Sequence, residues 1–157
     1  MRVALIQTSA SNSLEKNLEK ATSFLKDAAD QGAELVCLQE CFNTWFFPQR
    51  ISPEDQALAE SLDGPSITRI CEAASRYKLH IIAPFYEKAM SGELYNAAAL
   101  IDDSGNILGN YRKHHLPMSC WKESARPIPT QQTTYKSRIR SPLVLILPGA
   151  LDTRTNS

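Results

Sequence analysis

Short apolar runs separated by amphipathic stretches dominate the first hundred positions of the chain. The run at 2–7 has the length and the branched residues of a buried strand. After a polar loop, apolar residues recur every three or four positions and predict one buried face of a helix. The members of this face are Leu14, Leu18, Ala21, Leu25 and Ala28. A second buried strand follows at 35–38, so the order strand–helix–strand predicts an α/β protein.

Residues that commonly begin and end helices flank these stretches. Asn12, with Glu15 three positions later, is the predicted N-cap of the first helix. Gly32 lies just beyond its last turn, where a glycine favours termination. A second helix is predicted to begin at Pro65, because proline suits the first helical position. Its predicted buried stripe consists of Ile67, Ile70, Cys71, Ala74 and Tyr77.

The remaining periodic segments predict more strands. Residues 79–85 form a third apolar run, and 94–101 and 107–111 have the pattern of a hairpin with a polar, glycine-containing turn between them. The periodicity is lost after Pro117. One further strand is predicted at 143–147.

Composition and charge separate the first 117 residues from the last 40. The 157 residues are 43% hydrophobic and 22% charged, as in an ordinary globular domain. The 17 basic and 17 acidic residues cancel, so we expect neither a nucleic acid nor a membrane as partner. However, 1–117 contain 11 basic and 15 acidic residues, whereas 118–157 contain 6 and 2, with 5 Ser, 5 Thr and 4 Pro. We therefore predict a folded unit over 1–117 and a divergent, poorly ordered tail over 118–157.

The cysteine pattern and the N-terminal sequence indicate a cytoplasmic protein. The first residues lack the apolar run of an export signal, and no segment has the length of a membrane helix. We therefore expect the four cysteines to be free thiols. Cys37 and Cys41 have no second pair that would complete a zinc site.

Two charged residues occupy positions that suggest chemistry. Glu40 follows the strand at 35–38, and Lys113 follows the last arm of the hairpin. Functional side chains of α/β proteins collect where strands leave the sheet. A glutamate at a strand end is nevertheless most often simply solvated, so the positions alone favour a structural interpretation.

Four segments, in their order along the chain, carry a resemblance to a known family. They are 4–7 (ALIQ), 35–42 (LVCLQECF), 95–98 (YNAA) and 111–117 (YRKHHLP). Together they resemble the nitrilase superfamily of carbon–nitrogen hydrolases. This resemblance implies that 1–117 are a partial carbon–nitrogen hydrolase domain, the N-terminal half of a four-layer α-β-β-α sandwich.

Finer features of these segments are most similar to one branch of the family. The Gln39–Glu40 pair, the aromatic segment 45–49 and the Arg112–His114 segment resemble the enzymes that cleave N-carbamoyl compounds, such as N-carbamoylputrescine amidase and β-ureidopropionase. An ω-amidase-like member of the family is the alternative.

The resemblance also implies a Glu–Lys–Cys mechanism. Glu40 matches the general base and Lys113 matches the cation that stabilises the oxyanion, while a cysteine thiolate attacks the substrate. The implied substrate is a small amide or an N-carbamoyl amine, with no metal or organic cofactor. The implied protein partner is a second copy or a paralogue, bound through the family's dimer surface.

The nucleophile of the family is missing from its expected place. It should end a later strand, yet the run at 143–147 is followed by Pro148 and Gly149. Cys120 is the only cysteine after Lys113, and it does not follow an apolar strand. We therefore expect negligible hydrolase activity from the chain as written. A frameshift, retained intron or mis-assembled exon near Pro117 is our hypothesis for the abrupt change.

Two further outcomes stay open for such a chain. It is either a non-catalytic fragment that binds a full-length paralogue, or a product that fails to fold because its strand edges and apolar faces are uncovered. Among the other candidates, Cys37, Cys41 and Cys71 are expected to pack in the interior. The aromatic run 45–47 is expected either to line a substrate mouth or to pack under a loop.

Overall fold

The computed structural model describes residues 1–45, 53–114 and 144–146. In this part of the chain, six strands form one mixed sheet with helices on one face. The strands are β1 (Arg2–Leu5), β2 (Leu35–Cys37), β3 (His80–Lys88), β4 (Leu94–Ile101), β5 (Ile107–Arg112) and β6 (Val144–Ile146). The helices are α1 (Leu14–Asp30), a 3₁₀ helix (Pro53–Leu58) and α2 (Pro65–Tyr77). This arrangement confirms the predicted α/β class.

The strand order is β5-β4-β3-β2-β1-β6. Strands β6, β1, β2 and β3 are mutually parallel, whereas β4 is antiparallel to both of its neighbours, β3 and β5. Parallel neighbours need a crossover connection, and α1 supplies it between β1 and β2. The carboxyl ends of β1, β2, β3 and β6 therefore lie at the same edge of the sheet.

The core fills the space between the sheet and the two α-helices. Leu25 of α1 and Ile67 and Ile70 of α2 are fully buried in one cluster with strand residues such as Val36 and Phe85. Burial of each such side chain stabilises the fold by about 1.5–3 kcal/mol. Apolar packing against the helices therefore holds this face of the sheet.

The opposite face of the sheet is also apolar, but it is only partly covered. Because side chains alternate along a strand, the residues next in sequence to the core residues point away from the helices. These partly exposed residues, called the open face below, are Leu5, Leu35, Cys37, Ile82, Pro84, Ala98 and Leu100.

The start of α1 differs from the sequence prediction. Ser13, not Asn12, is the N-cap, because its side chain accepts a hydrogen bond from the backbone N–H of Lys16 at 3.4 Å. Leu14, predicted to be buried, is 39% exposed because it occupies the first helical position, before the buried stripe begins. Gly32 has a φ of +79° just beyond the helix end, as predicted.

The predicted strands are present, with different ends. β1 and β2 end at Leu5 and Cys37, before the predicted ends at 7 and 38, and β5 runs to Arg112, one residue past its predicted end. β3 continues three residues past Phe85, because β4 pairs with it from Ile81–Ile101 to Lys88–Leu94. The hairpin of β4 and β5 and the strand β6 are confirmed. The predictions for 46–52 and for most of the tail lie outside the described residues. Within the part that is described, no helix is long and apolar enough to cross a membrane.

Candidate active site

Glu40 lies in the turn that follows β2, at the edge where the parallel strands end. The neighbouring Gln39 side chain accepts a hydrogen bond from the backbone N–H of Thr8, which follows β1. The next residue, Cys41, has a φ of 51°, so the chain turns sharply directly after the glutamate. The turn therefore presents Glu40 at the sheet edge while tying β2 to β1.

Lys113 follows the end of β5 and reaches Glu40 across the sheet edge. Its backbone N–H donates a hydrogen bond to the carbonyl oxygen of Asn96 on β4 at 2.8 Å. Its ammonium group lies with Nζ 3.1 Å from Oε1 of Glu40. The fold thus brings together two charged residues that are 73 positions apart in the sequence.

Asn96 contacts both members of this pair. Its side-chain Nδ2 donates to the same Oε1 of Glu40 at 2.5 Å, while its carbonyl oxygen holds Lys113. The hydrogen bond from Asn96 lowers the pKa of the Glu40 carboxyl below its usual value, and Lys113 lowers it further, against a smaller opposing effect of partial burial. Glu40 is therefore a carboxylate at neutral pH.

The Glu40–Lys113 pair is too exposed to contribute much to stability. The side chains are 49% and 40% exposed. Exposed ion pairs of this kind stabilise proteins by about 0–1 kcal/mol. Simple solvation, which its position at a strand end favoured, does not describe Glu40 either, since Asn96 and Lys113 both bind it.

A second, buried ion pair fixes the end of β5. The guanidinium of Arg112 donates to both oxygens of Glu87, at 2.8 and 2.7 Å, and lies 4.0 Å above the ring of Tyr95. Glu87 is only 4% exposed. Because Arg112 directly precedes Lys113, this bidentate pair sets the point from which the lysine side chain extends.

A cleft of about 540 Å³ opens beside Glu40. Its lining consists of Gln7, Thr8, Ala10, Gln39, Glu40, Thr44 and Trp45. Trp45 also packs against the buried cluster of Cys41 and Tyr86. Its role at a substrate mouth stays a prediction. Phe46 and Phe47 lie outside the described residues.

The described cysteines are not poised as nucleophiles. Cys41 is buried, and burial raises the pKa of its thiol to about 12, with Glu40 adding to the effect. Cys37 and Cys71 are free and, against the prediction of full burial, partly exposed. Cys71 packs at the margin of the core, whereas Cys37 is on the open face. Cys120 lies outside the described residues.

The histidines and possible metal ligands add little to the site. The His114 ring packs near Tyr111, with ring centroids 6.0 Å apart. Among residues 1–45 and 53–114, no group of three His, Cys, Asp or Glu side chains is arranged to hold a metal ion. What the pair offers is an ionised carboxylate and an ammonium beside a cleft, which can accept a proton and stabilise a developing negative charge.

Sequence analysis did not identify Asn96 and Glu87 as site residues. Asn96 was noted only as a member of the 95–98 motif. Its place opposite Lys113 follows only from the register of the hairpin. Glu87 lies beyond the predicted end of the third strand, so no signal indicated that it was buried.

The chain is similar to carbon–nitrogen hydrolases in sequence and in structure. A family model described as carbon–nitrogen hydrolase matches residues 2–151. The protein named Omega-amidase NIT2 of Homo sapiens is 36% identical over 115 residues, which cover 73% of this chain and 40% of that protein. The chain therefore spans about 40% of the length of these curated relatives.

Solved structures show the same fold. A carbon–nitrogen hydrolase from Helicobacter pylori G27 superimposes with a TM-score of 0.70 at 27% identity, covering 76% of this chain and 42% of that one. Nit3 of Saccharomyces cerevisiae, at 22% identity, has a TM-score of 0.66 over 87% of this chain and 49% of its own. These likenesses confirm the predicted nitrilase-like fold, of which the described elements form the N-terminal part.

Proposed function

The chain belongs to the carbon–nitrogen hydrolase family, and from this premise we propose that Glu40 and Lys113 form part of an amide-hydrolysing site. One observation carries the proposal: Nζ of Lys113 lies 3.1 Å from Oε1 of Glu40 at the edge of a cleft. The parent reaction is hydrolysis of a non-peptide C–N bond in a small amide.

In the proposed reaction, Glu40 moves protons and Lys113 stabilises charge. Glu40 takes the proton of the attacking thiol, the thiolate bonds to the amide carbon, and Lys113 faces the resulting oxyanion. Glu40 then gives its proton to the departing nitrogen as the C–N bond breaks and a thioester forms. Water loses a proton to Glu40 and adds to the thioester. The acid forms as the C–S bond breaks, and Glu40 returns its proton to the departing thiolate.

The thiol is the part that this sequence does not supply in the family's position. The strand β6 pairs with β1 in parallel, and the sequence after it reads Leu147, Pro148, Gly149. The nearest described thiol, Cys41, is held neutral by its burial. We therefore propose that the 157-residue chain binds an amide at this site but does not complete the reaction.

The similarity to ω-amidases favours an ω-amide as the substrate class. The sequence features of Gln39, Glu40 and the 45–49 segment pointed first to N-carbamoyl amines, but relatives that are 36% identical to the chain carry the name ω-amidase. N-carbamoyl amines are therefore the second candidate. The free thiols of Cys37, Cys41 and Cys71 support the cytoplasm as the proposed location.

Release of ammonia tests whether the chain completes the reaction. The purified chain is incubated with an ω-amide and, separately, with an N-carbamoyl amine, beside a Glu40→Gln variant as control. We expect no ammonia above the level of the control with either substrate. Ammonia release by the chain that is lost in Glu40→Gln and after thiol alkylation would contradict the proposed absence of a working nucleophile.

A second candidate function is binding to a full-length relative. The open face supports it, because seven apolar residues of the sheet are only partly covered. In this alternative the chain is a non-catalytic partner. A stable complex with a catalytically complete family member, seen by size-exclusion chromatography, is the expected result, and elution of the two proteins apart would exclude it.

A further inference from the structure

We propose that Asn96 is a positioning residue that fixes Oε1 of Glu40 against Lys113 and so leaves Oε2 to exchange protons with the reacting groups. The inference rests on the proposed function, because it assigns the two oxygens of the same carboxylate. It concerns the geometry of that carboxylate, which exists without substrate.

Two donors share one oxygen of the Glu40 carboxylate as their acceptor. Asn96 Nδ2 and Lys113 Nζ approach one oxygen, Oε1, at 2.5 and 3.1 Å. Among the contacts of the described residues, none joins a donor to Oε2 of Glu40. A carboxylate held by two donors on one oxygen cannot rotate freely about its last bond, so its other oxygen keeps one direction.

Asn96 contacts both members of the Glu40–Lys113 pair. The backbone carbonyl of Asn96 accepts the N–H of Lys113 at 2.8 Å, while its side chain binds Glu40. β4 is flanked by β3 and β5, which makes it a rigid support. A movement of Asn96 would therefore shift the Glu40 carboxylate and the backbone of Lys113 together.

The side-chain amide of Asn96 is a neutral donor, which suits a positioning role. A second cation in place of Asn96 would compete with Lys113 for the carboxylate and weaken its basicity further. A neutral N–H donor orients the carboxylate with a smaller effect on its charge. Asparagine is otherwise disfavoured within strands, so sheet formation by itself does not explain it there.

Titration of Glu40 in the unmodified 157-residue chain tests the inference without any turnover. Side-chain carboxyl carbons are followed by NMR against pH, with the Glu40 signal assigned from Glu40→Gln. The test variant is Asn96→Leu, which keeps a similar volume but has no donor. The matched control is Asn110→Leu, on the adjacent strand β5, in register with Ala99.

The inference predicts an upward shift of the Glu40 titration midpoint in Asn96→Leu and an unchanged midpoint in Asn110→Leu. An unchanged midpoint in Asn96→Leu would overturn it. If Asn96→Leu does not fold, the same measurement on Asn96→Ala decides. Failure of both variants to fold would assign Asn96 to sheet stability and also overturn the inference.

Failure of this test and failure of the proposed function can be distinguished. If the Glu40 midpoint shifts as expected but no amide binds to the chain, the proposed function fails while the positioning of Glu40 by Asn96 stands. If amides bind and the midpoint does not move, only the positioning role of Asn96 fails.

Discussion

At the scale of single residues, burial decides which groups can take part in chemistry at neutral pH. Glu40 is half-exposed and bound by two donors, which lowers its pKa and keeps it ionised. Its sequence neighbour Cys41 is buried against Tyr86, and burial raises the pKa of both the thiol and the phenol to about 12. Adjacent residues therefore have opposite chemical roles.

The raised pKa of Cys41 predicts a loss of stability at alkaline pH. The folded state favours the neutral thiol, so this stabilisation is complete below the ordinary pKa of 9.0 and is lost as the pH rises towards 12. Urea titrations of the chain should give a free energy of unfolding that falls between these pH values. Cys41→Ala should reduce the slope, with Tyr86 accounting for part of what is left. An identical slope in both proteins would contradict the assignment.

At the scale of elements, the end of β5 is held by a buried contact rather than by the exposed one. Arg112 binds Glu87 with two hydrogen bonds, whereas Lys113 binds Glu40 at the surface. Two neighbouring residues thus divide anchoring from chemistry.

Matched substitutions should separate these two ion pairs. Glu87→Gln leaves the partly exposed Arg112 with an incomplete partner, and losing a hydrogen bond to a charged group costs about 1.5–3 kcal/mol. Glu40→Gln removes an exposed pair, which costs about 0–1 kcal/mol. The free energy of unfolding of each variant checks the ranking. Equal losses would show that β5 is not anchored by Glu87.

Two glycines in the hairpin turns provide a second matched comparison. Gly92 and Gly105 both have a φ of +86°, which costs a residue with a side chain about 1–2 kcal/mol. A Cβ at Gly92 would meet nothing within 4 Å, whereas one at Gly105 would lie 2.6 Å from the carbonyl oxygen of Cys71. Gly105→Ala should therefore lower the melting temperature more than Gly92→Ala. Equal effects would mean that the turn moves freely away from α2.

The sequence predicted the elements well and the site only in part, for physical reasons that particular residues illustrate. Leu18 and Leu25 follow the helical period because packing selects them directly, so their burial was predictable. The contact between Asn96 and Glu40 depends on the register of a hairpin and on a turn after β2, which no local pattern contains. Ser13 and Asn12 are equally suitable residue types for the N-cap. Ser13 takes this position because its hydroxyl accepts a hydrogen bond from the N–H of Lys16.

At the scale of the whole molecule, the sheet has one packed face and one partly exposed apolar face. Ile81 is fully buried towards the helices, and its neighbour Ile82 is on the open face. An uncovered apolar surface of this kind favours association. The open face is therefore the surface through which we expect copies of this chain to associate.

Lysine at these two adjacent positions should have different consequences. Ile82→Lys should stay folded and show less self-association and less binding of an apolar dye than the parent chain. Ile81→Lys should not fold, because it places an unpaired charge in the core. Light scattering and circular dichroism check both. Unchanged association in a folded Ile82→Lys would show that the chain does not self-associate through the open face.

In the proposed function, Glu40 and Lys113 act together on an amide substrate. The most direct test follows the NMR signals of the Glu40 carboxyl carbon and the Lys113 ammonium nitrogen while an ω-amide is added to the chain. We predict that both signals shift and saturate together, and that the Lys113 shift is lost in Glu40→Gln. If neither signal moves with an ω-amide or with an N-carbamoyl amine, the pair is not a substrate site in this chain.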